Sequence, residues 1–146
     1  MHLTDVMCSI VEHSGDAIMF ADQAGIVRLW NQGAVKIFGY ATEEAVGQSL
    51  DLIIPEYLRA RHWQGWQSAM ASGTSRYSQE LLAVPAMTKD GRTISIEFSV
   101  VMVMDVESKP AGVAAIVRDV TLRRQQERDL KSRLAMLEGQ HGGELI

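Results

Sequence analysis

From Thr93 to Met104 the side chains alternate. Ile94, Ile96, Phe98, Val100, Met102 and Met104 are apolar, with Ser95, Glu97 and Ser99 set between them. A period of two places the first set on one side of a β-strand and the second set on the other. Such a strand needs hydrogen-bonded neighbours and a cover over its apolar side. The rest of the chain has to supply both. Lys89-Asp90-Gly91-Arg92 is a tight turn leading into it, Arg76–Val84 reads as a strand stopped at Pro85, and Gly112–Arg118 reads as a last strand after a loop.

Two further β-prone runs lie upstream, Ala17–Ala21 and Ile26–Trp30, joined by Asp22-Gln23-Ala24-Gly25, which is hairpin chemistry. Helical signals surround them. Leu3, Val6, Met7, Ile10 and Val11 recur with a helical period over Leu3–His13. Asn31 is a good N-cap for a short helix Gln32–Phe38 closing at Gly39, and Thr42 suits the cap of another helical turn ended by Gly47. Hairpin-like connections predict an antiparallel sheet with its helices on one side, an α+β arrangement.

The cover for the alternating strand is the longest helix in the body of the chain. Pro55 suits a helix start and Gly73 a left-handed stop, which brackets Glu56–Ser72. Leu58, His62, Trp66 and Met70 recur within it at a spacing of four, with Ala69 beside them, so one face carries an imidazole among large apolar groups. Trp63 and Gln67 fall on a flank. Two readings stay open: the face packs into a core, or it offers the imidazole to something held there.

Charge and cysteine usage remove several function classes. The net charge is −4 with a pI near 5.5, so no basic field is present for nucleic acid. Cys8 is the only cysteine, which leaves neither a disulfide framework nor a thiolate metal cluster. His2, His13 and His141 lack metal spacing with one another, and no nucleophile elbow, zincin or P-loop pattern occurs, so an enzyme is not expected. No run reaches the ~18 apolar residues of a membrane span. The expectation is a cytoplasmic protein, or the cytoplasmic part of something larger, without membrane contact.

The run DQAGIVRLWNQGAVKIFGYATEEAVGQSLDLIIPE resembles the first half of a PAS domain, with its D-x-x-G-x-I hairpin, W-N-x-x-A and F-G-Y-x-x-E-E steps. KDGRTISIEFSVVMV and AAIVRDVTLRR resemble its later strands and D-[IV]-T exit. The resemblance implies the PAS fold: a five-stranded antiparallel sheet, helices over one face, a ligand-sized pocket between, and flanking helices at both ends. It divides the chain into an N-terminal cap helix (1–13), a PAS sensor domain (14–120) and a C-terminal exit helix with tail (121–146).

Within that family the site residues sort the members. Flavin-binding light sensors and coumarate-binding photoreceptors both need a pocket cysteine, which Cys8 is not placed to be, so no flavin is expected. The FixL-type oxygen-sensing histidine kinases carry a haem-ligating histidine in R-x-x-H or R-x-R-H shortly after L-M-P, and LIIPEYLRARHW puts His62 at that position. The resemblance thus implies haem b on His62, with Trp66, Met70, Ile96, Phe98, Val100 and Ile116 around it. Leu82 stands near the place of the distal arginine of those sensors, while Arg76 and Ser68 stand near their propionate partners. The alternative is a PAS module holding a small organic ligand, or none, as a dimerisation and relay unit. Leu130, Leu134 and Leu137 on the exit helix and the apolar stripe of Leu3–His13 predict a homodimer.

Overall fold

The computed structural model describes residues 1–75 and 81–144. In chain order the elements are α1 (Leu3–His13), β1 (Ala17–Asp22), β2 (Val27–Trp30), α2 (Gln32–Phe38), α3 (Thr42–Ala45), a 3₁₀ turn (Leu50–Ile53), α4 (Glu56–Ser72), β3 (Leu82–Met87), β4 (Thr93–Met104), β5 (Pro110–Asp119) and α5 (Thr121–Glu144). The strands form one five-stranded antiparallel sheet in the order β2-β1-β5-β4-β3. The α+β class and the sheet type agree with the sequence expectation.

Register decides which side chains face the core. Ala17, Met19 and Ala21 of β1, Val117 of β5, Ile94 and Ile96 of β4 and Ala86 of β3 are buried together with Val27, Trp30, Ala34 and Phe38. Ala115, Phe98 and Val84 pack against them half-buried. The alternation of β4 thus puts Ile94, Ile96, Phe98, Val100 and Met102 inward, as expected, and leaves Glu97 and Ser99 on the outer face, whereas Met104, beyond a register irregularity after Val103, is exposed.

β3 departs from expectation in a useful way. It runs through Pro85, which pairs with Ser95, instead of stopping before it. β3 is an edge strand, and an edge has a free side on which the missing proline N–H costs no ladder bond. The first part of the expected strand, residues 76–80, lies outside the described residues. At the α3 turn, Ala41 occupies the cap position and its N–H donates to Glu44 Oε1 at 2.9 Å. Thr42 donates its hydroxyl to Trp30 O instead.

The buried side chain of Asn31 organises the N-terminal half. Its Oδ1 accepts from Ile18 N (2.8 Å) and Ala34 N (2.9 Å), the second bond being the N-cap of α2. Its Nδ2 donates to Val11 O (2.7 Å) and Asp16 O (3.0 Å). A single carboxamide therefore joins the end of α1, the entry to β1 and the start of α2. Close approach is needed for this: a Cβ on Gly33 would lie 2.1 Å from Asp16 O.

Both end helices leave apolar surface open. No residue of α1 is buried, and Leu3, Met7 and Ile10 are exposed along one stripe. α5 exposes Leu130, Leu134 and Leu137 and runs to Glu144. Its first turn is fastened to the sheet. Asp119 Oδ1 accepts from Thr121 N at 2.9 Å, Ser95 N donates to Thr121 Oγ1 at 2.9 Å, and Arg123 pairs with Glu97.

Replacing Asn31 with alanine strands two donors and two acceptors, buried or partly buried, at once. The expected cost is at least ~2 kcal/mol, read as a lower urea midpoint at unchanged slope. A loss below ~0.5 kcal/mol, within the ordinary range of a surface change, would contradict the role given to this side chain.

Candidate functional site

α4 lies over the inner side of the sheet without sinking into it. None of its 17 residues is fully buried. Leu58, Arg59, His62, Trp63, Trp66, Ala69 and Met70 are half-buried and form its contact face. The helix is anchored by polar bonds near its start and middle. Arg59 donates to Ile54 O (3.0 Å) and Asp51 O (3.1 Å), Trp63 Nε1 to Asp51 Oδ1 (2.7 Å), and Trp66 Nε1 to Gln23 O (3.0 Å). Gly73, in the left-handed conformation at φ 73°, ends it beside Pro110 and Met104.

His62 sits in the middle of this face. Its ring centroid is 4.6 Å from that of Trp63, edge-on at 79°, and 5.9 Å from that of Trp66. Its Nδ1 is buried and has no hydrogen-bond partner among the described residues. Buried polar atoms are normally paired, so an orphan calls for a reason. Burial lowers the pKa of this imidazole from its ordinary value, and the Asp51 carboxylate pulls more weakly the other way. The side chain is therefore a neutral, interior-facing imidazole, the protonation state in which histidine binds metal.

The structure sets Trp66 beside His62, places other expected residues on the contact face of α4 or the inner face of the sheet, and turns one away. Trp66 touches the imidazole and packs against the core. Met70 is half-buried on the same helix face, and Leu82, Ile96, Phe98 and Val100 belong to the inner set of β3 and β4, with Leu82 opposite Phe98 in the register. Arg76 lies outside the described residues. Ile116 is a correction. Val117 of the same strand is in the core, so the two-residue period turns Ile116 to the outer face. There it is 38% exposed and lines a small concavity with Asp16, Glu97, Ser99 and Arg118.

Trp63, Asp51 and Gly25 are members of the site that sequence spacing misses. The four-residue repeat puts Trp63 on a flank, yet it packs against the core and on His62. A contact face broader than the four-residue repeat includes the i+3 and i+4 neighbours as well, and Arg59–Trp63–Trp66 has that spacing. Gly25 makes room for the indole: a Cβ there would lie 2.2 Å from Trp63 Cη2. Its φ of 77° also suits the β1–β2 turn to glycine.

The model of the PAS fold matches residues 7–120. The chain belongs to the PAS family. The PAS domain of a protein from Colwellia psychrerythraea superposes with a TM-score of 0.72 at 22% identity, covering 82% of this chain and 98% of that one, a likeness that shows the fold. In sequence, the chain is 37% identical over 54 residues to the sensor protein FixL of Bradyrhizobium diazoefficiens, which covers 37% of this chain. It is 27% identical over 123 residues to the oxygen sensor protein DosP of Escherichia coli strain K12, covering 84% of this chain. The match spans only 11% and 14% of those two proteins. PAS modules similar to this one thus occur in the sensor proteins FixL and DosP, and none of this chain's described helices is long and apolar enough to cross a membrane.

Neutral His62 leaves a signature in stability. An unfolded histidine takes up a proton near pH 6.5, whereas the folded ring resists it. The stabilisation is complete above that pH and is lost as pH falls below it, until the folded ring also titrates. The urea midpoint should therefore drop between pH 7 and 5.5, and His62→Phe should drop less over the same interval. Equal pH dependence in the two proteins would contradict a desolvated imidazole.

Proposed function

We propose that this PAS module binds haem b through His62 and relays the state of that group through α5. The observation that carries the reading is a neutral imidazole on the contact face of α4 that hydrogen-bonds to no described residue, its Nδ1 buried. The surroundings have the right chemistry. Met70, Leu82, Phe98 and Val100 offer apolar side chains, and α4 rests on half-buried side chains instead of close backbone packing. An apolar shell would retain a porphyrin and keep the imidazole neutral. When bound, the iron supplies reversible ligation of a diatomic gas or a change of oxidation state.

In this reading His62 would hold the iron, with Trp66 and Met70 as the wall on its own helix and Phe98 and Val100 as the wall on β4. Leu82 gives the inner side of the edge strand no donor, so a bound gas would be held by the apolar shell and not by a cation at that position. The name of one relative, an oxygen sensor protein, supports a gas as the stimulus. The module works in the cytoplasm and without chemistry of its own in this reading.

Relay rests on the exit from the sheet. β4 carries Phe98 and Val100 on its inner side, and Ser95 and Glu97 of the same strand hold Thr121 and Arg123 of α5. A shift of β4 against an occupied pocket changes the seating of α5, the differential contact that coupling requires. Exposed stripes on α1 and α5 support pairing of two copies, with the output helices side by side.

Adding hemin to the purified protein tests the cofactor. A Soret band at one equivalent is expected, and His62→Ala should shift or abolish it while remaining folded. A wild-type protein that takes up no hemin, or a His62→Ala spectrum identical to wild type, would overturn the haem reading.

A further inference from the structure

A ligating histidine usually has its ring plane fixed by a hydrogen bond on the nitrogen that does not face the metal, to a carbonyl or a carboxylate. His62 makes no hydrogen bond to any described residue, and its buried Nδ1 is unpartnered. Something else must hold the imidazole at a defined angle, because a free ring would turn about its Cβ–Cγ bond.

The structure places two indoles against it. Trp63 meets it edge-on at 4.6 Å and Trp66 lies tilted at 5.9 Å, with the indoles themselves 5.7 Å apart and nearly perpendicular. Such offset and edge contacts have preferred geometries, so three rings restrict one another. Trp63 is itself pinned at both ends. Its Nε1 donates to Asp51 Oδ1 at 2.7 Å, a short bond to a charged acceptor, and its six-membered ring lies on the bare Cα of Gly25. Asp51 in turn is fixed on the 3₁₀ turn, where its N–H donates to Ser49 Oγ (3.1 Å), its carbonyl accepts from Arg59 (3.1 Å) and its carboxylate faces Arg59 Nε at 3.9 Å.

We propose that Asp51 and Trp63 are positioning residues for His62: the carboxylate sets the indole, and the indole sets the imidazole. The proposal rests on the reading of His62 as the ligand of the pocket and names what orients it. Packing replaces the usual hydrogen bond. The ligand ring consequently lacks a partner that would add to its basicity, and its orientation depends on a residue eleven positions away, outside α4.

Two measurements separate this proposal from the reading beneath it. In the protein without hemin, the carbon-bound ring protons of His62 lie beside two indoles and should be displaced by their ring currents in a heteronuclear spectrum. Asp51→Ala keeps all three rings but removes the acceptor, and it should move those resonances toward their unstructured positions. Asp51→Asn keeps an acceptor oxygen and should leave them near wild type. Trp63→Phe, which keeps a ring and loses the N–H, is the second variant and should behave like Asp51→Ala. With hemin added, Asp51→Ala should bind about 10-fold more weakly, as outer-shell changes at metal sites do, and Asp51→Asn should bind as wild type does. Unmoved His62 resonances in Asp51→Ala and Trp63→Phe would overturn the proposal, as would moved resonances with unchanged hemin affinity. A wild type that refuses hemin would overturn the haem reading alone, and the resonances would then decide whether the pair holds the ring.

Discussion

A carboxamide with no access to water must find all its hydrogen bonds inside the protein, and Asn31 finds four of them. Its partners lie on α1, on the link to β1, on β1 itself and on α2. No backbone ladder joins those pieces, since α1 and α2 are helices and residue 16 is in a turn. Asn31 is therefore the constraint that places the helices over the inner side of β1. Trp30 beside it extends the effect: it is 2% exposed, packs on Phe38 at 5.5 Å, and donates its N–H to Tyr40 O. The order Trp-Asn thus puts the largest core side chain and the main polar junction at consecutive positions.

That junction divides the molecule into two physical regimes. On its side, α2, α3 and the 3₁₀ turn contribute fully buried residues to a close-packed core. On the other side, α4 contributes none, and side-chain hydrogen bonds to Asp51, Ile54 and Gln23 hold it. The fully buried side chains lie in the first region, and the second carries a buried imidazole nitrogen without a partner. An orphaned nitrogen in the tight core would be costly with nothing in return. Under α4 it coincides with a ring packed against two indoles.

Much of the fold is legible in the sequence because the signals are local. The alternation over Thr93–Met104 fixes both the strand and its inner face, Asn31 and Gly39 bracket α2, and Pro55 and Gly73 bracket α4. Errors arise where the deciding fact is non-local. Pro85 stops a central strand but not an edge strand, and nothing near it states which of the two β3 is. Ile116 belongs to a run of small and branched residues with no polar alternation, PAGVAAIVRD, so its outward position appears only once Val117 is paired with Ala17 and Phe98. The candidate site divides the same way. His62, Trp66 and Met70 are visible at their spacing, whereas Trp63 joins them only because Asp51 and Gly25, from two other segments, receive its indole.

The central claim is that His62 presents a ring nitrogen as the ligand of a haem under α4, and chemical rescue tests it most directly. The His62→Gly protein removes the imidazole and leaves space in its place. Hemin added to it should give a spectrum unlike that of wild type, and free imidazole should then restore the wild-type band, since only the ring nitrogen is missing. A His62→Gly protein that matches the wild-type hemin spectrum before imidazole is added, or that is unaffected by it, would contradict the account.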